Sequence, residues 1–382
     1  MDAWAIEIVI LLNVAMAGVD AGVLRHVRRN RSAASWWKAG MGGAGGSLVL
    51  VVFFGMVPSM MSRRSGVHLN AFFIVQLASW VLFVHAPFCL LTAAFLLRKS
   101  AWKTAALSTL GAIGLLGVAV DAFLIEPTWL EVTHLEIASD KIDRPFRVAV
   151  VADLQTDRAG SYERRVLETL RDQHPDVILF AGDYIQSSCE RALPTAKALN
   201  RLMEEVGVRA PDGVFAIQGN IDLWHPWLEV FRGLDVSPVQ STQSFDVGPL
   251  RLTCLSMNDS FRPRLVVERT DPDRFHLVLG HGPNYAMGRI DADLLLAGHT
   301  HGGQVRLPLV GPLATGCAVP PAWAAGMTEL PDGGKLYVSR GVGMERGNAP
   351  RIRFLCRPEL VVIDLVPQSD TNPKRQREVG NP

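Results

Sequence analysis

The sequence predicts a chain in two parts, an α-helical transmembrane anchor followed by an α/β domain with two β-sheets. Two observations carry this. Long apolar runs are confined to residues 1–126, and short apolar strands alternate with amphipathic helices from about residue 145 onward. The hydrophobic content of 48% averages over these unlike halves. The boundaries read as an anchor of four transmembrane helices over 1–126, a globular domain over 127–366 and a disordered polar tail over 367–382.

A helix that crosses a bilayer needs about 20 mostly apolar residues. Segments 4–24, 41–61, 70–97 and 104–125 meet that length, and none has the polar stripe of a soluble bundle. The third contains Pro87, which predicts a tilt or kink, and the glycines within 42–46 suit close helix packing in lipid. The first segment has no basic residue ahead of its apolar core and is read as a retained span, not a signal peptide. The loop after the first segment carries Arg25, Arg28, Arg29, Arg31 and Lys38, and the loop after the third carries Arg98, Lys99 and Lys103. The loop between holds only Arg63 and Arg64, and the N-terminal tail holds no basic residue. The positive-inside rule puts the first and third loops in the cytoplasm. The expectation is a multi-pass protein of an inner or plasma membrane, with everything after residue 126 on the extracytoplasmic side. Glu7, Asp20, His85 and Asp121 lie in or near spans and are read as paired or snorkelling structural groups.

The formal net charge of +1, without aromatics interleaved in a basic stripe, excludes a nucleic-acid partner. The five cysteines, Cys89, Cys189, Cys254, Cys317 and Cys356, form no CxxC pair, which argues against a thiolate zinc site. They read as small buried hydrophobes, with disulfides among the last four left open for an extracytoplasmic domain.

In the second part, strands are expected at 147–152, 177–181, 214–218, 251–256, 275–279, 294–297, 336–339 and 360–365, with helices at 162–173 and 190–206. The later strands, with few helices between them, suggest a second and mainly antiparallel sheet. The residues just after the strands are more informative. Asp153 and Gln155 come after the first, Gly182-Asp183 after the second and Gly219-Asn220 after the third. His281 comes after 275–279, and Gly298-His299-Thr300-His301 after 294–297. Open α/β sheets bind ligands at the carboxyl ends of their strands. Five such ends each deliver a metal-competent side chain, with glycine beside four of them for close backbone approach. The i,i+2 spacing of Asp153/Gln155 and His299/His301 suggests that both members lie on one side of an extended chain. An isolated His or Gly-Asn pair is usually structural; five in this arrangement point to a metal centre.

These segments, ADLQ, AGDY, QGNID, GHGP and GHTHGGQ, resemble the calcineurin-like metallophosphoesterase family, whose motifs run DxH, GD, GNH(D/E), H and GHxH. GHTHGGQVRLP, YVSRGVG and IRFLCRPELVVIDL resemble its bacterial membrane-linked branch. The likeness spans about residues 127–366 and implies two facing β-sheets flanked by helices, agreeing with the strands. It also implies a phosphoesterase with two divalent metals. Asp153, Gln155, Asp183 and His301 would hold the first and Asp183, Asn220, His281 and His299 the second, with Asp183 bridging. Asp183, Asn220 and Asp222 are the expected catalytic residues.

Two departures qualify the expectation. Gln155 replaces the first motif's His with a neutral, harder oxygen donor, which favours manganese, with magnesium, zinc or iron possible. Ile221 replaces the His that assists the leaving group, and Asp222 loses the partner it would orient. His225, three residues after Asp222, is a candidate substitute. The expected function is a phosphodiesterase or pyrophosphatase acting on a phosphoester, a lipid or lipid-linked one given the anchor. The alternative is a metal-binding regulatory or scaffold membrane protein with little turnover.

Overall fold

The computed structural model describes residues 3–62, 71–312, 315–331 and 333–368. It forms two compact units, Met1–Ile125 with Arg346–Arg351, and Glu126–Glu345 with the chain from Ile352.

The first unit is helical. Ala3–Asn30 and Ala33–Ser62 are continuous helices, while the third is made of Ala71–Trp80, a π-turn at Val81–His85 and Ala86–Leu97. The fourth runs over Trp102–Val120 and a π-turn at Asp121–Ile125. Among the described residues, four helices are long and apolar enough to cross a membrane. Their outward residues, such as Val14, Leu48, Phe95 and Leu110, are apolar and exposed, the reverse of a water-soluble bundle. A Cβ on Gly43 would lie 2.8 Å from Val23, so close helix approach there depends on glycine. A π-turn ends two residues before Pro87, with Ala86 N–H bonded to Val81 O. His85 Nδ1 lies 2.6 Å from Asp20 Oδ2, His85 Nε2 lies 3.0 Å from Asn13 Oδ1, and the Cys89 thiol donates to Asp20 Oδ1 at 3.1 Å. Two of the four ionisable groups are thus a hydrogen-bonded pair. The loop carrying Arg63 and Arg64 lies outside the described residues.

The second unit holds two six-stranded sheets. The first has the order Glu131–Ser139, Glu359–Pro367, Phe146–Val151, Val177–Phe180, Val214–Ile217, Ser237–Val239. The second has the order Gly326–Glu329, Lys335–Val338, Leu294–Ala297, Phe275–Leu279, Leu250–Cys254, Gln243–Val247. Alternate side chains of both sheets, among them Val148, Leu179, Ile217, Leu252, Leu277 and Leu296, meet in one buried layer between them. Ser161–Asp172 and Cys189–Val206 cover the other face of the first sheet, on Val151, Ile178 and Phe180.

Three expectations need correction. The strand Glu131–Ser139 was not anticipated: it has charged and polar residues at several positions and only its pairing with Glu359–Pro367 makes it a strand. The second sheet is not mainly antiparallel. Leu294–Ala297 pairs in parallel with both Phe275–Leu279 and Lys335–Val338, and Phe275–Leu279 with Leu250–Cys254. Its crossovers use single turns of helix such as Met257–Ser260 and Pro283–Met287, too short to show a helical period. Finally, Pro367 belongs to the last strand rather than to a disordered tail, and residues 369–382 lie outside the described residues. All five cysteines are free thiols; Cys254 and Cys356 are buried and Cys189 is exposed.

Candidate metal centre

The parallel strands of both sheets end at the same edge, so Asp153, Asp183, Asn220, His281, His299 and His301 lie just beyond strands whose carboxyl ends converge. The i,i+2 pairs do not lie on extended chain as expected. Asp153 (φ 52°), Gln155 (φ 38°), Asp183 (φ 57°), His299 (φ 70°) and His301 (φ 49°) are all left-handed. Each such residue costs on the order of 1–3 kcal/mol and persists only where its surroundings hold it.

Close backbone approach does the holding. A Cβ on Gly219 would fall 2.2 Å from Asp183 Oδ1, and one on Gly298 would fall 2.7 Å from Ala152 Cβ and 3.0 Å from Asp153 Oδ2. Asp153 N–H donates to Gly182 O and Gln155 N–H to Asp183 O, so the first two candidate-ligand loops run side by side. The buried Asp222 carboxylate accepts N–H groups from Asp183 (2.8 Å), Gly219 (2.8 Å) and Tyr184 (3.0 Å). Burial and the Asp183 charge push its carboxyl up to about 7, while the three donors pull the other way. Asp222 is thus engaged as a brace between two loops.

His281 gives the clearest chemical signal. Its Nδ1–H donates to Ala181 O at 2.7 Å, which fixes the tautomer. Its Nε2 then faces two oxygen acceptors, Asn220 Oδ1 at 2.9 Å and Asp183 Oδ2 at 3.3 Å. A lone pair against two acceptors repels, so either a proton on Nε2 or a bound cation must lie between them. Burial alone would disfavour a charged ring, but Asp183 and Asp153 outweigh it and hold His281 up at about 9. A proton there occupies the position that suits a divalent metal. Ligating atoms of Asp183, His281 and His299 all lie within 4.8 Å of one another.

The other imidazoles are neutral donors. His299 Nε2–H donates to Gly316 O at 3.2 Å, leaving Nδ1 with the lone pair, and burial followed by the His281 charge lowers its pKa to about 4. Burial, reinforced by Arg353, holds His301 well below the usual histidine range. Its Nδ1 is buried with no hydrogen-bond partner among the described residues. Asp153 is fully buried and accepts the His299 N–H on both oxygens, at 3.0 and 3.1 Å. Burial raises its carboxyl to about 7, a penalty that a bound cation would remove. Gln155 donates Nε2–H to Glu345 Oε2 (2.9 Å) and Gln186 Oε1 (3.0 Å), so the atom it would offer a metal is Oε1. The donor set therefore fits divalent metal.

His225 does not fill the place of the missing acid: Nδ1 bonds Ile221 O at 2.9 Å and Nε2 contacts both N and O of Ser187. Sequence reasoning missed the supports. Gly343 N–H donates to Asp153 O and Val342 N–H to Ala152 O, so the loop after Lys335–Val338 clamps the first candidate-ligand segment. That loop is held by the fully buried Arg353, which donates to carbonyls of Arg340, Gly341, Gly343 and Cys356. Gln186 and Glu345 complete a hydrogen-bonded group with Gln155. The glycines of SRGVG signalled a close approach; nothing in the sequence marked Arg353 or Glu345.

A buried carboxylate–imidazole cluster at converging strand ends between two sheets defines a candidate metal-binding site of the kind that hydrolases use. Residues 146–303 match the family model of calcineurin-like phosphoesterases, and the domain belongs to that family. An uncharacterized metallophosphoesterase of Bacillus subtilis, YkuE, is 28% identical over 271 residues, 63% of this chain and 87% of that protein. The phosphodiesterase YaeI of Escherichia coli is 29% identical over 258 residues, covering 63% and 90%. The UDP-2,3-diacylglucosamine pyrophosphatase LpxG of Chlamydia trachomatis is 23% identical over 306 residues, covering 63% and 90%.

Proposed function

We propose that the chain hydrolyses a phosphodiester or diphosphate with two divalent metals, manganese favoured, on a lipid or lipid-linked substrate at the extracytoplasmic face of a membrane. The observation that carries the reading is the buried convergence of His281 Nε2, Asn220 Oδ1 and Asp183 Oδ2, which needs a proton or a metal cation between the ring and the two oxygens, with a His299 ligand atom within reach. Asp183, Asn220, His281 and His299 would hold one ion, and Asp153, Gln155, Asp183 and His301 the other. Bound there, divalent ions supply charge neutralisation of the phosphoryl group and an activated nucleophile at neutral pH.

The chain's own residues bear on what kind of leaving group it handles. Ile221 cannot move a proton and His225 is tied to Ser187 and Ile221, so departure is not assisted from that side. General acid assistance is worth about 10²–10⁴-fold, least where the leaving group is already stable as an anion. That favours a nucleotide or phosphate leaving group. A diphosphate on a lipid is also the substrate type in the name of the chlamydial relative, and a phosphodiester that of the E. coli one. The four apolar helices and the bias of basic residues in their loops support the membrane setting and the orientation.

The test is turnover by the full chain in detergent, stripped of metal and resupplied with Mn²⁺, Mg²⁺, Zn²⁺ or Fe²⁺. An aryl phosphodiester and a lipid diphosphate serve as substrates. Activity highest with Mn²⁺ supports the reading; no turnover with any metal favours the metal-binding scaffold.

A further inference from the structure

The loop that begins with His299 and His301 continues into a short hairpin with pairs Arg306–Pro312 and Leu307–Gly311. Its tip is apolar and uncovered: Leu307 is 39% exposed, Val310 68% and Leu309 108%. A soluble domain has no reason to hold such side chains in water at the end of a projecting hairpin, least of all with Leu309 at φ 66°.

Hydrogen bonds trace this hairpin back to the point where the chain leaves the helical anchor. Glu126, the residue after the last π-turn, is 4% exposed. Its carboxylate accepts N–H groups from Leu355, at 2.8 Å, and Cys356. Phe354 bridges Val305 and exchanges backbone bonds with Gln304 and Arg306, directly ahead of the hairpin. The Cys356 thiol donates to His301 O at 3.2 Å. Beside them Trp129 is half exposed with the Arg357 guanidinium 3.5 Å over its ring, an aromatic–cation pair of the kind found at headgroup level. Leu355, also exposed, lies on the same stretch.

We infer that the 306–312 hairpin, with Leu355 and Trp129, is a lipid-contacting surface that immerses beside the metal centre. The partner is the bilayer. A covalent tether keeps residues 126–129 at its surface, and Leu309, two residues from both members of the last hairpin pair Leu307–Gly311, reaches at most about 7 Å beyond it at about 3.3 Å per residue. That reach matches the roughly 5–10 Å immersion of interfacial segments. An amphiphilic substrate could then pass from lipid to the metal ligands without its chain crossing water. This last step rests on the proposed lipid substrate; the immersion does not.

The test uses the full chain in phosphatidylcholine–phosphatidylglycerol nanodiscs, made with plain or brominated acyl chains. The Leu309→Trp variant is compared with the parent, so that emission from the nine native tryptophans is subtracted. The added emission is expected to fall more than twofold with brominated chains and to resist iodide. Quenching by iodide alone, or by neither, overturns immersion, the first placing the tip in water and the second under protein. In parallel, Leu309→Asn keeps a residue that tolerates left-handed backbone but is polar. It is expected to leave soluble aryl phosphodiester turnover within twofold of the parent and to reduce turnover of a bilayer-resident phosphoester about tenfold. Equal effects on both substrates overturn the delivery role. If the parent hydrolyses no bilayer phosphoester, the lipid-substrate reading falls, while the tryptophan measurement still decides immersion.

Discussion

Replacing Asp222 by Ala separates a brace from a catalytic group. Three buried N–H groups, those of Asp183, Tyr184 and Gly219, end on this one carboxylate. A buried donor left unsatisfied costs about 1–3 kcal/mol, so the loss is at least about 3 kcal/mol if no water enters. In a domain of this size each kcal/mol moves the melting midpoint by roughly 2–4 °C, so the midpoint should fall by about 6 °C or more. Asp222→Asn keeps one acceptor oxygen and turns an NH₂ toward backbone donors, so its loss should be smaller but in the same direction. The measurement is thermal unfolding of detergent-solubilised, chelator-treated protein, because bound metal would add its own stabilisation. Activity with metal restored is read alongside. If Asp222→Ala melts within about 2 °C of the parent yet has lost turnover, the brace is refuted and the residue returns to the chemistry.

Asp183→Asn is expected to remove bound metal and activity together, since one carboxylate serves both proposed ions; metal analysis finding full occupancy and full rate would rule out bridging. Ile221→His should raise kcat/KM for alkyl phosphodiesters by ten-fold or more and leave diphosphates nearly unchanged, and equal acceleration of both would sink the leaving-group argument. Glu359 accepts from Thr133, Tyr337 and Arg340 in a nearly water-free site. Burial would raise its pKa, but Arg340 outweighs it and the folded value lies below the usual glutamate range. Its stabilisation is therefore present above the unfolded value of about 4.3 and lost as pH falls through the lower folded value. Because Arg340 keeps Glu131 at 3.1 Å, Glu359→Gln should weaken the domain by about 1–3 kcal/mol near neutral pH and flatten its acid sensitivity, as followed by circular dichroism from pH 7 to 3. A reporter fused after residue 368 should be active only outside the cytoplasm; cytoplasmic activity would reverse the proposed orientation.

Much of the molecule was legible in the chain itself. Twenty-residue apolar runs are a property of composition, and they became long helices because a helix pairs its backbone groups within its own segment. The residues after each strand were legible too, because parallel strands deliver their carboxyl ends to one edge and Asp153, Asp183, Asn220, His281 and His299 need only come next in the chain. Tertiary structure decided what those side chains face. The left-handed backbone of five candidate ligands contradicts the extended geometry their spacing suggested, and it stands because glycines at 219 and 298 let distant loops touch. Asp222 became a brace because the N–H groups of Asp183 and Tyr184, from the loop after another strand, converge on it with that of Gly219 from its own loop. The strand Glu131–Ser139 exists because Glu359–Pro367, more than 200 residues away, supplies its hydrogen bonds. Arg353 is buried among carbonyls that only folding assembles. Local sequence carries periodicity and residue type, but a hydrogen bond between remote segments has no local signature, and at this site such bonds determine which groups are left for metal and substrate.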